Sequence, residues 1–303
     1  MSRDHDPREP FRPPASVTEA EPEASSSDRE SRSPESISPA GSSSRAKGRD
    51  PLSTEPRQVH EIRGRTYRVR PSEVGTMVEL GKFRAIAQED LVEFFYTGDK
   101  NRFRPDTENL LRQELIQAKA IPHETTGSRT LLTLTKQGHR FLTETQAAGN
   151  DQVLYHGFTK PREAHHDADL YRLYQKASER IERQGGKNLR VVLDYEMKKR
   201  IGHDLAKLEE ERKSSARKRE IAERHQLQMV RGKVPVPDLR IEYETRDGEK
   251  ARIDLELATG HYRGRSLAEK VSAGFAIYAH GDEASKLRKI LNQRELTAEI
   301  LSL

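Results

Sequence analysis

The sequence has no cysteine. That excludes a disulfide framework, a cysteine-ligated zinc site and thiol catalysis, and it fits a reducing compartment. No run approaches the roughly 18 consecutive apolar residues that read as a membrane span. The opening stretch MSRDHDPREPFRPP lacks the apolar segment of a secretory signal. The phosphate-loop pattern GxxxxGK[ST] is also absent, which argues against ATP hydrolysis. These absences together predict a soluble cytoplasmic protein with no membrane partner.

What is present is charge, unevenly spread. Of 303 residues, 34% are charged and 33% hydrophobic, with a net charge of +5. Residues 1–58 hold 13 Ser and 9 Pro, with 9 Lys/Arg against 11 Asp/Glu. A segment such as SSSDRESRSPESISPAGSSSRAKGR cannot bury enough apolar surface to offset its ordering entropy, so 1–58 reads as a disordered tail. The remaining residues are basic, the sign expected of a nucleic-acid partner.

Order is expected from Val59. VHEIRGRTYRV alternates around Arg63-Gly64 as a short hairpin would. Three helices then follow: Pro71–Leu80, Ala87–Tyr96 and Pro105–Lys119, the last with Leu110, Leu111, Leu115 and Ala118 on its buried face. The β-prone run Leu131–Thr135 comes after a turn centred on Gly127, and Thr135 caps a further helix. This order predicts a winged-helix DNA-binding domain over 59–150. A second domain is expected over 151–303. It begins with a helix over Glu163–Arg183 and a strand over 189–195, followed by a long charged helical region from Glu196 to Val230. Two strands, PVPDLRIEYET and KARIDLELA, meet at an Asp-Gly hairpin. A helix over Ser266–Tyr278 and a final helical piece close the chain.

A recognition helix needs one face that packs and one that reaches base edges. On the third helix Asn109, Gln113 and Gln117 recur every four residues away from the leucines, and Asn or Gln pairs with adenine edges. Arg102, Arg104 and Arg112 are natural phosphate contacts, and Arg129 in the wing suits a groove or a phosphate.

A second constellation is acidic. Asp238 opens a strand, and Asp254 and Glu256 share one face of the next. Three carboxylates at that point suit Mg²⁺ and phosphodiester cleavage, while acids on the outer face of a hairpin also serve as ordinary solvation. The spacing resembles the PD-(D/E)xK nucleases. The lysine which that pattern wants two residues after its second acid is missing, since Ala258 follows Glu256, but Lys270 on the next helix is within reach of the same point. His165, His166 and Asp169, with Glu163 nearby, form a weaker candidate for a metal or general-base site, or for a helix cap.

The stretches AQEDLVEFFYTGDKNRFRPDTENLLRQELIQAKAI and LLTLTKQGHRFL, then REAHHDADLYRLY, VPDLRIEY and IDLELATGHYRGRSLAEKVSAGFAIY, together resemble the replication-relaxation family of plasmids and conjugative elements. The likeness covers about residues 72–278. It implies an α+β chain in which a winged helix precedes a small α/β restriction-endonuclease-like domain. It also implies binding of double-stranded DNA beside a relaxase or replication protein, with Asp238, Glu256 and Lys270 at family-like positions. The expected function is a DNA-binding accessory factor for replication, relaxation or transfer. A Mg²⁺-dependent endonuclease and a winged-helix transcriptional regulator stand as alternatives.

Overall fold

The computed structural model describes residues 55–123, 127–149, 151–158, 160–207, 214–259, 262–293 and 300–302. The tail expected over 1–58 therefore lies outside the described residues as far as residue 54. Its last part is ordered: the Arg57 guanidinium donates to Glu73 at 2.7–2.8 Å.

The Arg63-Gly64 turn, with φ of 51° and 74°, closes an antiparallel hairpin of β1 (Gln58–Ile62) and β2 (Arg65–Val69). Pro71 then starts α1 (Pro71–Phe83), where its missing N–H costs nothing. The short β3 (Ile86–Ala87) leads into α2 (Gln88–Asp90), continued by a π-helical turn over Leu91–Phe95. Next come α3 (Lys100–Arg112), β4 (Ile116–His123), β5 (Gly127–Leu134) and α4 (Lys136–Thr145). The three strands form one antiparallel sheet in the order β3-β5-β4. Gly138 lets α4 lie against the chain between α3 and β4, because a Cβ there would stand 2.0 Å from the Leu115 carbonyl oxygen.

The third helix is shorter than its leucine spacing predicts. Asp99 caps it, accepting from the Asn101 and Arg102 N–H groups at 3.0 and 3.1 Å. It ends at Arg112, and Glu114 takes a positive φ of 57°. Leu115 and Ile116 thereby turn into the core at the start of β4. Gln117 thus sits on a strand rather than on the helix.

The second sheet has five strands in the order β10-β9-β8-β7-β6. A 23-residue helix, α5 (Pro161–Arg183), precedes β6 (Lys187–Leu193). The charged region that follows divides into α6 (Asp194–Ala206) and α7 (Ser215–Arg224), with 208–213 outside the described residues. β7 (Leu239–Glu244) and β8 (Lys250–Leu257) pair antiparallel, as the Asp-Gly turn requires, with Gly248 at φ 82°.

The helix expected over Ser266–Tyr278 is corrected. α8 (Gly264–Ser272) stops where Gly274 takes a positive φ, and β9 (Ala276–Ala279) lies parallel to β8. The end of the chain is also divided: α9 (Gly281–Asn292) is followed by β10 (Ile300–Ser302), parallel to β9. The short apolar runs AIYA and ILS complete a sheet rather than extend helices, an ambiguity that periodicity cannot resolve.

The described residues form one compact unit, and α5 is the reason. Ala164 and Ala168 pack against Ala85, Ala87 and Leu131 of the three-stranded sheet. Leu170, Leu173 and Ala177 share a core with Val191, Leu239, Ile241 and Leu255 of the five-stranded sheet. The Phe83 ring meets Tyr171 and Tyr174 at 5.2 and 5.1 Å. The apolar core is therefore continuous past residue 150, where the sequence suggests a domain boundary. Among the described residues no helix is long and apolar enough to cross a membrane.

Candidate functional site

Beside the buried Phe103 and Leu110, the polar side chains on the inner face of α3 are engaged. Asp106, buried, accepts from the Arg70 Nε at 2.7 Å, the Ser72 hydroxyl at 2.6 Å and the Tyr96 hydroxyl at 3.1 Å. Asn109 donates to the Arg68 carbonyl and to Glu73 at 3.0 and 3.1 Å. Gln113 accepts from the Arg68 N–H at 2.8 Å and donates to the Arg68 carbonyl at 2.9 Å. This amide completes the hydrogen bonding of β2 in the way another strand would.

Asn109 and Gln113 are thus corrected as base-reading residues, since both face the hairpin. Gln117 is corrected with them, being half-buried on β4. Arg102 is half-buried, with its Nε shielded from solvent. The opposite face of α3 carries Lys100, Asn101, Arg104, Glu108, Leu111 and Arg112, all exposed. Asn109→Ala removes two hydrogen bonds. It is expected to lower stability by about 1–2 kcal/mol in a urea melt.

Arg129 is corrected as a wing contact. It lies on β5 and is 8% exposed. Its guanidinium donates to Glu89 at 2.7 Å, Asp90 at 2.7 Å and Asp169 at 2.6 Å. Arg172 of α5 also holds Asp90, and His280 holds Asp169 at 3.3 Å. Burial works against the Asp169 charge, but hydrogen bonds from His280 and Arg129 keep its carboxyl below the usual range. This network bolts the three-stranded sheet to α5.

The second assembly sits where β7 begins and β8 ends. Pro237 is buried and delivers Asp238 to the mouth of β7. The Leu257 N–H donates to Asp238 at 3.0 Å, and the Asp238 N–H to Glu256 at 3.2 Å. Lys270 of α8 places its ammonium 2.7 Å from Glu256 and donates to the Val236 carbonyl at 2.7 Å. The Tyr262 hydroxyl donates to the same Glu256 oxygen. From α5, His166 approaches Asp238 at 3.7 Å.

The structure therefore brings together Asp238, Glu256 and Lys270 and adds His166 and Tyr262. The Tyr262 contact has no signature in sequence spacing. Asp254 is held elsewhere: Arg240, opposite it across the ladder, takes both carboxylate oxygens at 2.6 and 3.0 Å. Arg240 is 5% exposed, so Asp254 serves as its counter-ion. The histidine candidate likewise disperses, with His165 on the Pro122 carbonyl at 2.8 Å, His166 toward Asp238 and Asp169 in the Arg129 network.

The two carboxyls of the cluster are pushed apart. Burial raises Glu256 to about 7, the Asp238 charge adding to it and Lys270 opposing. Burial also works against the Asp238 charge, but the His166 hydrogen bond and charge, with Lys270 and the Leu257 N–H, hold it below its ordinary value. His166 is raised in turn: burial opposes its charge, and Asp238 outweighs burial. A divalent cation does not fit the donor set as placed. The Lys270 ammonium and Tyr262 hydroxyl take one Glu256 oxygen and the Asp238 N–H the other, while Leu257 and His166 engage Asp238. Among the described residues no group of three or more His, Asp or Glu is arranged to hold a metal ion.

A scan against protein-family models and a search of curated proteins return no match to this chain.

Proposed function

We propose that this chain is a double-stranded DNA-binding factor that contacts the duplex through the exposed face of α3. The observation that carries the reading is the division of that helix. One side is pinned by Asp106, Asn109 and Gln113, and the other presents Lys100, Asn101, Arg104, Leu111 and Arg112 to solvent. A helix held this firmly on one side is preorganised for a groove. A 13-residue helix is roughly 20 Å long and fits the major groove. Arg104 and Arg112 suit phosphates or guanine, Asn101 suits adenine and Leu111 suits a thymine methyl. The order helix, strand, helix, helix and two-stranded hairpin, with the sheet order β3-β5-β4, supports a winged-helix reading.

The order α5, β6, then β7 and β8 after the α6–α7 pair, α8 and the parallel β9 supports a nuclease-like second half. Its carboxylate–lysine cluster serves as a structural joint in this proposal. The likeness to the replication-relaxation family gives the context, replication or transfer of a mobile element beside a relaxase or replication protein.

Fluorescence anisotropy of the full chain on a short duplex, with salt varied, tests the reading. Arg104→Ala and Arg112→Ala are each expected to lower the salt slope by about 0.9, one phosphate contact apiece. Unchanged slopes in both variants would remove α3 from the interface. Nicking of supercoiled plasmid in Mg²⁺ by the wild type, lost in Asp238→Ala, would overturn the structural role of the cluster.

A further inference from the structure

We propose that the exposed basic face of the α6–α7 pair is a second surface for double-stranded DNA, holding phosphates beyond those that α3 reaches. The inference rests on the DNA-binding reading above and extends it to a part of the chain that reading leaves unused.

The two helices share a core. Met197 and Ile201 of α6 pack with Ile221 and Ala222 of α7, and His225 reaches Asp204 at 2.9 Å. This fixes their outer faces. Several outer cations are already neutralised: Lys198 by Asp194 at 2.5 Å, Arg200 by Glu196, and Arg217 and Arg224 by Glu220. Lys199, Lys218 and Arg219 are exposed and form no ion pair among the described residues, while Lys207, also exposed, stands near Asp204. A surface of solvation alone tends to intersperse both signs. Here the cations left over outnumber the one exposed acid of α6 and α7 without an ion pair, Glu223.

Its layout is linear. Tyr195, Lys199, His203 and Lys207 recur every four residues along one side of α6 and are all exposed. At the head of the row the Tyr195 ring lies 4.8 Å from the Arg84 guanidinium. Gly202, on the same side, leaves open space above the helix, so a rod-shaped ligand can come close. On α7 the first turn holds no acid, and Lys218 and Arg219 follow directly. Cations near that end oppose the helix dipole, so the local choice weakens the helix. Such a violation of a local rule is expected where a residue serves binding.

The chemistry selects the partner. Lysine, arginine and tyrosine without an apolar centre are phosphate contacts, which give affinity without reading sequence. Protein interfaces place an apolar core inside a polar rim, and Tyr195, stacked on Arg84, is the one large apolar side chain exposed on α6 or α7 among the described residues.

The test compares the full chain with a K199A/K207A/K218A/R219A variant on a duplex of about 30 base pairs and on one of about 12, each across a salt series. With about 0.9 of slope per phosphate, the variant is expected to lose 2 to 4 from the salt slope on the long duplex and little on the short one. A charge-keeping K199R/K207R/K218R/R219K variant is expected to restore the slope, which separates phosphate contact from misfolding. An unchanged long-duplex slope in the alanine variant, with wild-type binding intact, would overturn the second surface and leave the α3 reading standing. Absence of wild-type binding to either duplex, or binding only to an acidic polypeptide such as polyglutamate, would overturn both.

Discussion

Arg129→Ala is expected to destabilise the protein by about 3–5 kcal/mol, the range for removing one partner of a buried ion pair. For a chain of this size that is a fall in melting temperature of roughly 6–20 °C. The arginine is 8% exposed and bonds three carboxylates. Without it Asp90, fully buried, keeps only Arg172, and Asp169 keeps only His280 among the partners shown. Asp90 is then a buried charge and Asp169 a half-buried one, each with half its compensation gone, which is the expensive outcome rather than the loss of the attraction itself. Arg129→Lys is expected to recover part of the loss, since an ammonium restores charge but not the three-way fork. The measurement is a thermal melt beside a DNA titration. A variant that melts like the wild type but binds DNA weakly would return Arg129 to the wing role that its position in the sequence suggests.

That contrast shows what was legible in the sequence and what was not. Local signals held at several turns and helix starts, although the third helix begins at Lys100 rather than at Pro105. The Arg63-Gly64 and Asp247-Gly248 turns, Pro71 at the start of α1 and the 23-residue α5 all formed at or near their expected places. Partners remote in sequence were invisible. Asn109 and Gln113 read as an outward stripe because polarity at helical spacing usually faces water. Their hydrogen bonds go instead to the Arg68 main chain and Glu73, 36 to 45 residues away. Asp254 looked like a metal ligand because nothing in its own strand marks Arg240 as its mate across the ladder. Asp238, Glu256 and Lys270 lie together, with the ammonium on the carboxylate and a tyrosine beside it. A short apolar run such as Ala276–Ala279 gains its strand character only from the neighbouring β8.

Between about pH 4.5 and 7 the protein is expected to lose stability as pH rises, and Glu256 is the cause. Its ordinary value of 4.5 is pushed up to about 7 in the fold. In that window the folded form keeps a proton that the unfolded chain has released, so stability is full below the unfolded value and is lost as pH climbs through the folded one. At about 1.36 kcal/mol per unit the whole window contributes on the order of 3 kcal/mol. Asp238 acts with the opposite sign, since its depressed value gives stability that is lost as pH falls through the acid range. The raised His166 adds a decline of its own as pH rises past its ordinary 6.5. His139, which burial holds below its ordinary value, opposes the His166 contribution. Urea midpoints for Glu256→Gln isolate the first contribution. The substituted amide faces the Asp238 N–H with a donor of its own, so the variant is expected to be weaker at pH 5. Its midpoint is expected to stay level between pH 5 and 6, where the wild type declines. A wild type that gains stability across that interval, or a variant that declines in parallel with it, would mean that Glu256 stays ionised beside Lys270. The cluster would then be a plain buried ion pair with no proton held at its centre.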